Sequence, residues 1–145
     1  MSLPQVAFAV PAFLVTYVVA AFLFMHATSA SGATDWRSLS REPVGLAPDP
    51  ARPPEAVVQV YAARALRWRG YFGVHPWVAV KRTGESAFTV YEVNGWRLRR
   101  TGSAVVSSDR APDGRWFGNP PELLADVRGE GVDDVIDRIE QAVES

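Results

Sequence analysis

His75 is the residue of this chain best placed to do chemistry. It stands in Gly73-Val74-His75-Pro76-Trp77-Val78-Ala79-Val80-Lys81, at the start of an alternating, β-branched run that reads as a strand. An imidazole titrates at about 6.5 when unperturbed, so it can exchange protons near neutral pH, and a strand end is a rigid mount for it. The following turn supplies its neighbours. A glycine-first Gly84-Glu85 loop suits a type II′ hairpin between runs at 75–82 and 87–93. That loop pairs Thr83 with Ser86, so His75 faces Asn94, Trp77 faces Glu92 and Ala79 faces Val90. Facing Cβ atoms lie about 5 Å apart. Asn94, with Glu92 as the fallback, is therefore the group to orient His75. The other face of the hairpin, with Val78, Val80, Thr89, Tyr91 and Val93, reads as core.

A base needs a nucleophile, and the chain offers none of the usual kind. It has no cysteine, which excludes a thiol nucleophile, thiolate metal sites and disulfides among these residues. Ser86, Ser103, Ser107 and Ser108 fall in turns or strand ends, and none sits in Gly-x-Ser-x-Gly. The other histidine, His26, is far along the chain, so a multi-histidine metal site lacks ligands. Gly70-Tyr71-Phe72-Gly73 lacks the Lys-Ser/Thr or Gly-x-Gly context of a phosphate loop, and no cofactor is implied. Asp133, Asp134, Asp137 and Glu140 have the spacing of a solvated helix face rather than of a catalytic pair.

A second constellation is basic and aromatic. Arg64, Arg67, Arg69, Arg97, Arg99 and Arg100 interleave with Trp68 and Trp96, a composition suited to anionic lipid headgroups or cell-wall polymers. The alternative is a solvated face with Asp109, Asp113, Glu122 and Asp126 as partners inside the chain. With a net charge of −1 over 145 residues, the balance gives no reason to expect nucleic acid.

These residues need elements to hold them. Val57–Tyr61 reads as a strand ahead of the hairpin, and a third strand runs through 97–106. Asn119-Pro120-Pro121-Glu122 has the form of a helix start, with asparagine as cap, proline in the first turn and glutamate at the third position; Leu123, Leu124 and Val127 give that helix its buried side. Val132, Val135, Ile136, Ile139 and Val143 form the apolar stripe of a last helix. The reading is α+β: a small antiparallel sheet with one or two C-terminal helices, over residues 57–145. Its core is thin for its aromatic content, which suggests an incomplete domain.

Ahead of it, Val6–Met25 is a run of 20 residues without a charge. As a helix it measures about 30 Å, the thickness of a bilayer core. Ala27–Ala33 offers small residues for signal cleavage, but Met1–Gln5 has no lysine or arginine, which favours a retained single span over residues 1–25. Residues 26–56, with Pro43, Pro48, Pro50, Pro53 and Pro54, read as a semi-extended tether. Arg37 and Arg41 pull the C-terminal side inward by the positive-inside rule, offset by Asp35 and Glu42.

Two resemblances follow from these segments. Val58–Arg64, Arg69–Lys81, Tyr91–Leu98, Asp113–Gly118 and Glu122–Asp126, with the Asp35-Trp36 pair, resemble the uncharacterised bacterial domain-of-unknown-function family 3750. That resemblance implies an N-terminal membrane segment and an envelope-associated domain, on the periplasmic or outer side, with no established activity. It also implies a continuation past residue 145 that is rich in aromatic, asparagine and serine residues. More weakly, a histidine opening a strand before a hairpin and a later helix resembles the circularly permuted papain-like group of NlpC/P60 and lecithin-retinol-acyltransferase proteins. This second likeness implies His75 as base and Asn94 or Glu92 as orienter, with no counterpart for the nucleophile. The functional expectation is a membrane-anchored envelope domain, non-catalytic as this chain stands. The alternative is a hydrolase or acyltransferase whose nucleophile lies in a C-terminal part.

Overall fold

The structure is a computed structural model that describes residues 3–28, 35–52 and 54–144. It falls into two units, Met1–Asp35 and Trp36–Ser145. The first is helix α1, Leu3–Thr28, interrupted in composition by Pro11. Within it Thr16 Oγ1 donates to Ala12 O at 2.9 Å, and the rings of Phe13 and Tyr17 stack with centroids 6.5 Å apart. No helix among the described residues is long and apolar enough to cross a membrane. The side chains of α1 are described only over residues 11–24 and at Ala27, a shorter stretch than the uncharged run at 6–25. The cleavage-like stretch lies outside the described residues from residue 29 on, as does the side chain of His26.

The second unit is α+β. In chain order it contains a 3-10 turn at Trp36–Ser38, β1 (Val57–Arg64), a 3-10 turn at Arg67–Tyr71, β2 (Val74–Lys81), β3 (Thr89–Val93), α2 (Leu98–Thr101), β4 (Val105–Ser108), β5 (Glu122–Arg128) and α3 (Val132–Glu144). The strands make one antiparallel sheet in the order β4-β3-β2-β1-β5. β1 and β2 lie inside it, which explains why β1 is apolar almost throughout: both of its faces are covered.

The hairpin register is the expected one, with Trp77 opposite Glu92, Val78 opposite Tyr91 and Ala79 opposite Val90. Its loop is wider than a two-residue turn. Glu85 N donates to Arg82 O at 3.1 Å, and Gly84 N turns outward to Pro54 O at 2.7 Å, so Thr83 and Ser86 do not pair. Buried Lys81 holds the loop from beneath, its Nζ donating to Glu55 O at 2.8 Å and Glu85 O at 3.3 Å.

One face of the sheet packs on α3. Val132 and Ile136 are buried against Ala56, Val58 and Val80, with Val78, Tyr91, Val135 and Ile139 around them. The stripe read from the sequence is the stripe that packs, and burying Ile136 alone contributes about 2 kcal/mol. Arg82 ties the helix to the hairpin, its Nη2 lying 2.7 Å from Asp137 Oδ1 and 2.5 Å from Glu140 Oε2. Val93, expected in this core, is exposed at the end of its strand.

The opposite face buries Tyr61, Trp77, Ala79, Val90, Trp116 and Phe117. It is roofed by the chain between β4 and β5, and by a strap at residues 39–47. Pro43 forms a bridge with Gly114, Arg115 N donates to Glu42 O at 3.0 Å, and Gly118 N donates to Ser40 O at 2.9 Å. Buried Asp113 fixes the strap's far end through Leu46 N at 2.6 Å and Ala47 N at 3.3 Å. Gly114 cannot be larger, because a Cβ there would meet Arg41 O at 2.9 Å. The stretch read as tether thus includes, from Leu39 to Ala47, part of the domain's own roof.

Two elements differ from the sequence reading. The helix expected from Asn119 is instead strand β5. Asn119 closes a tight turn with Trp116, through bonds of 2.9 and 3.1 Å, around Phe117 at φ 48° and Gly118 at φ 86°. Both central residues are left-handed, the geometry of a type I′ hairpin turn. Beyond it Glu122–Arg128 pairs along the free edge of β1, with a bulge at Val60/Tyr61. Edge pairing outweighs the helix propensity of Leu123-Leu124-Ala125. The third strand, expected over 97–106, is one helical turn (α2) followed by β4. Arg97 N bonds to Asn94 O at 2.9 Å, and Gly102, at φ 76°, ends the turn. Leu98, in that turn, is exposed.

Candidate functional site

β2 places His75 opposite Ala63 of β1, on the face roofed by the strap. The imidazole lies flat on the Trp116 indole, with centroids 3.6 Å apart and planes 8° from parallel. Its Nε2 is 3.5 Å from Glu92 Oε2. That nitrogen is buried, and at this separation it forms no hydrogen bond. The side chains of His75 and Glu92 are only 14% and 9% exposed.

Glu92 is the centre of the cluster. Its Oε2 also receives Arg110 Nη2 at 3.1 Å, and its Oε1 receives Asn94 Nδ2 at 3.0 Å. Burial pushes the Glu92 carboxyl up, but His75, Arg110 and Asn94 together outweigh it and hold the group below the usual carboxylate range. The Arg110 guanidinium lies over the Trp77 ring at 4.5 Å, and Trp77 Nε1 donates to Pro112 O at 2.7 Å. Arg41, from the strap, covers Phe117 at 3.8 Å and Trp116 at 5.3 Å. Phe117 meets Trp116 edge-on at 4.8 Å, and these contacts hold its left-handed backbone in place.

A second polar chain runs along the same face. Tyr61 stacks on Trp77 at 5.9 Å and donates its hydroxyl to Gln59 Oε1 at 2.9 Å. Gln59 Nε2 donates to Asp126 Oδ2 at 3.0 Å, and Arg128 holds Asp126 at 2.6 Å. Burial pushes the Tyr61 phenol up, so it remains a donor.

The structure brings together two of the three residues singled out in the sequence and gives the third another role. Glu92, not Asn94, faces the ring of His75. Asn94 sits one residue past the end of β3 and two past the last β2–β3 pair, its backbone N turned to Ala104 O at 2.7 Å, and it acts on Glu92 instead. Arg110, Trp116 and Arg41 complete the cluster and were not apparent as site residues. Arg110 and Trp116 lie in what reads as loop, and nothing in their spacing links them to β2. The available signal was the aromatic pair Trp116-Phe117 before a glycine, which is unusual for a solvated turn.

The cluster can hold an imidazole at one angle with a carboxylate behind it, the arrangement of an oriented base. Among the described residues no hydroxyl is hydrogen-bonded to His75, and no group of three or more His, Cys, Asp or Glu side chains converges as for a metal. Asn94 Oδ1, Ser108 Oγ and Arg110 Nε are, like His75 Nε2, buried without partners. A cleft of roughly 570 Å³ lies at the His75 end of the sheet, lined by residues that include Ala63 and Asn119 but none of the cluster.

Residues 55–145 match the family described as "Protein of unknown function (DUF3750)". The chain belongs to the DUF3750 family. The match takes in β1 through α3, and with them His75, Glu92, Asn94, Arg110 and Trp116 of this DUF3750 domain. No curated protein and no solved structure matches the chain.

Proposed function

We propose that this DUF3750 protein is a membrane-anchored domain of the cell envelope in which the His75 face binds a ligand rather than turning one over. The observation that carries this reading is the saturation of Glu92. Both its oxygens are engaged, by Arg110 and Asn94, with His75 Nε2 3.5 Å away, and among the described residues no hydroxyl is bonded to the imidazole. Such a cluster fixes the shape of the face, and Asn94 Oδ1, Ser108 Oγ and Arg110 Nε are buried polar atoms that a ligand would satisfy only if the roof over them moved. Anchoring rests on the uncharged run at 6–25. A periplasmic or outer position rests on the family resemblance.

The second reading is a papain-like hydrolase or acyltransferase with His75 as base, Glu92 as orienter and the nucleophile in a further C-terminal part. It is favoured by the Nε2-to-carboxylate contact, which leaves the other ring nitrogen for a substrate or nucleophile. One experiment separates the two. The protein together with the further C-terminal part that the second reading requires, and its His75→Ala variant, are assayed on activated acyl esters and amides. Binding predicts equal background rates; turnover by the wild type that His75→Ala loses would replace the first reading by the second. Anchoring is tested separately by alkaline carbonate extraction, where release of the chain from membranes sinks it.

A further inference from the structure

We infer that the end of the sheet bearing His75 is a docking surface for an anionic lipid bilayer. The register puts two connections side by side there. Arg64, at the end of β1, pairs with Val74 at the start of β2, and Val93, ending β3, pairs with Val105 of β4. The segments 64–74 and 93–104 therefore leave the sheet from the same end. Between them they carry Arg64, Arg67, Arg69, Arg97, Arg99 and Arg100, and neither contains an aspartate or glutamate. Asp113 and Asp126, which the sequence offered as partners, are engaged by the strap and by Arg128. Among the described residues Arg64, Arg69, Arg97, Arg99 and Arg100 form no salt bridge.

The same two segments expose large apolar side chains. Phe72 is 74% exposed, Trp96 63%, Leu98 54% and Trp68 53%, and Arg69 lies over the Trp68 ring at 5.1 Å. Folding does not explain this exposure, and it coincides with the positive charge. Aromatic rings settle at headgroup depth, and guanidinium groups take phosphate oxygens in pairs. Phe72 and Leu98 decide between a bilayer and a soluble polyanion. A polyanion satisfies the arginines and leaves both side chains in water, whereas a bilayer interface covers them. The cleft opens on this end too, lined by Tyr71, Phe72, Val74 and Leu124, with Arg64 and Glu122 both at its wall.

The surface does not depend on the anchor at 6–25, and the test keeps them apart. The full chain is incubated with phosphatidylcholine vesicles with and without about a quarter phosphatidylglycerol, and amide exchange is followed in 64–74 and 93–104. Each arginine near an anionic surface is worth about fivefold in partition. The expected result is exchange slowed several-fold in both segments only when phosphatidylglycerol is present, and restored by about 0.5 M salt. Arg69→Glu/Arg99→Glu/Arg100→Glu abolishes the slowing. Phe72→Ser/Leu98→Ser, which keeps every charge, weakens it as well. Equal exchange with the two vesicle types overturns the proposal. So does equal protection by inorganic polyphosphate without vesicles, or slowing that Phe72→Ser/Leu98→Ser leaves intact. The uncharged run at 6–25 takes both vesicle types alike, so failure of the anchor shows instead as failure to float with phosphatidylcholine.

Discussion

Glu92 carries the polar economy of the roofed face, and its protonation is a stability question. Its folded-state value lies below its ordinary one, with burial opposing and His75, Arg110 and Asn94 prevailing. The unfolded chain therefore takes the proton first as pH falls. The stabilisation is complete above the ordinary carboxylate range and is lost as pH drops through the lowered value. Glu92→Gln removes the charge and strands Arg110, which is 23% exposed, at a cost of about 2 kcal/mol near neutral pH. Urea denaturation should show that gap at pH 7 and its closure on the acid limb; a pH-independent gap would mean that charge is not what Glu92 contributes. At this scale the sequence was partly legible. His75 and Glu92 lie near each other because strand pairing is set by period and turn, both visible locally. Trp116 and Arg110 reach them only through a long connection whose path no short-range rule describes.

Among the elements, the two edges of the sequence reading were the weak points. The hairpin register was legible because the position of the glycine loop between two alternating runs fixes which residues face each other, although the loop is not the two-residue turn expected. The stripe of α3 was legible for the same reason at helical period. β5 was not, because Asn119-Pro120-Pro121-Glu122 carries every local mark of a helix start, and the free edge of β1 that captures the segment lies far back in the chain. Ile136→Ala in α3 should cost about 3 kcal/mol in chemical denaturation, since the side chain is fully buried. Asp113→Ala should cost about 2 kcal/mol by leaving Leu46 N and Ala47 N without their acceptor. Those two amides should then exchange faster while amides of the β1–β2 ladder keep their rates. A uniform acceleration would show that the strap does not open by itself.

Over the whole molecule, charge is segregated along the strands. The arginine-bearing loops leave one end of the sheet, while Glu85, Asp133, Asp137 and Glu140 gather around Arg82 and Thr83 at the other. A chain of net charge −1 is then not electrostatically uniform. It should be retained on a cation exchanger at pH 7.5, and Arg69→Glu/Arg99→Glu/Arg100→Glu should pass through unretarded. Passage of the unaltered protein would show that the basic end is too dispersed to act as a patch. The sequence displayed those arginines as two separate clusters. Only the sheet order makes them neighbours.

Mechanical load from the N-terminal side would enter the second unit at Trp36, whose ring meets Phe117 edge-on at 5.9 Å, and next at the strap at 39–47. It meets the bonds from Ser40 and Glu42 to 115–118 before it meets the β1–β2 ladder. Those few bonds would yield first, and as Arg41 lifts away, Phe117 and Trp116 lose their cover. Tension, with no ligand or proton involved, would uncover the ring on which His75 rests.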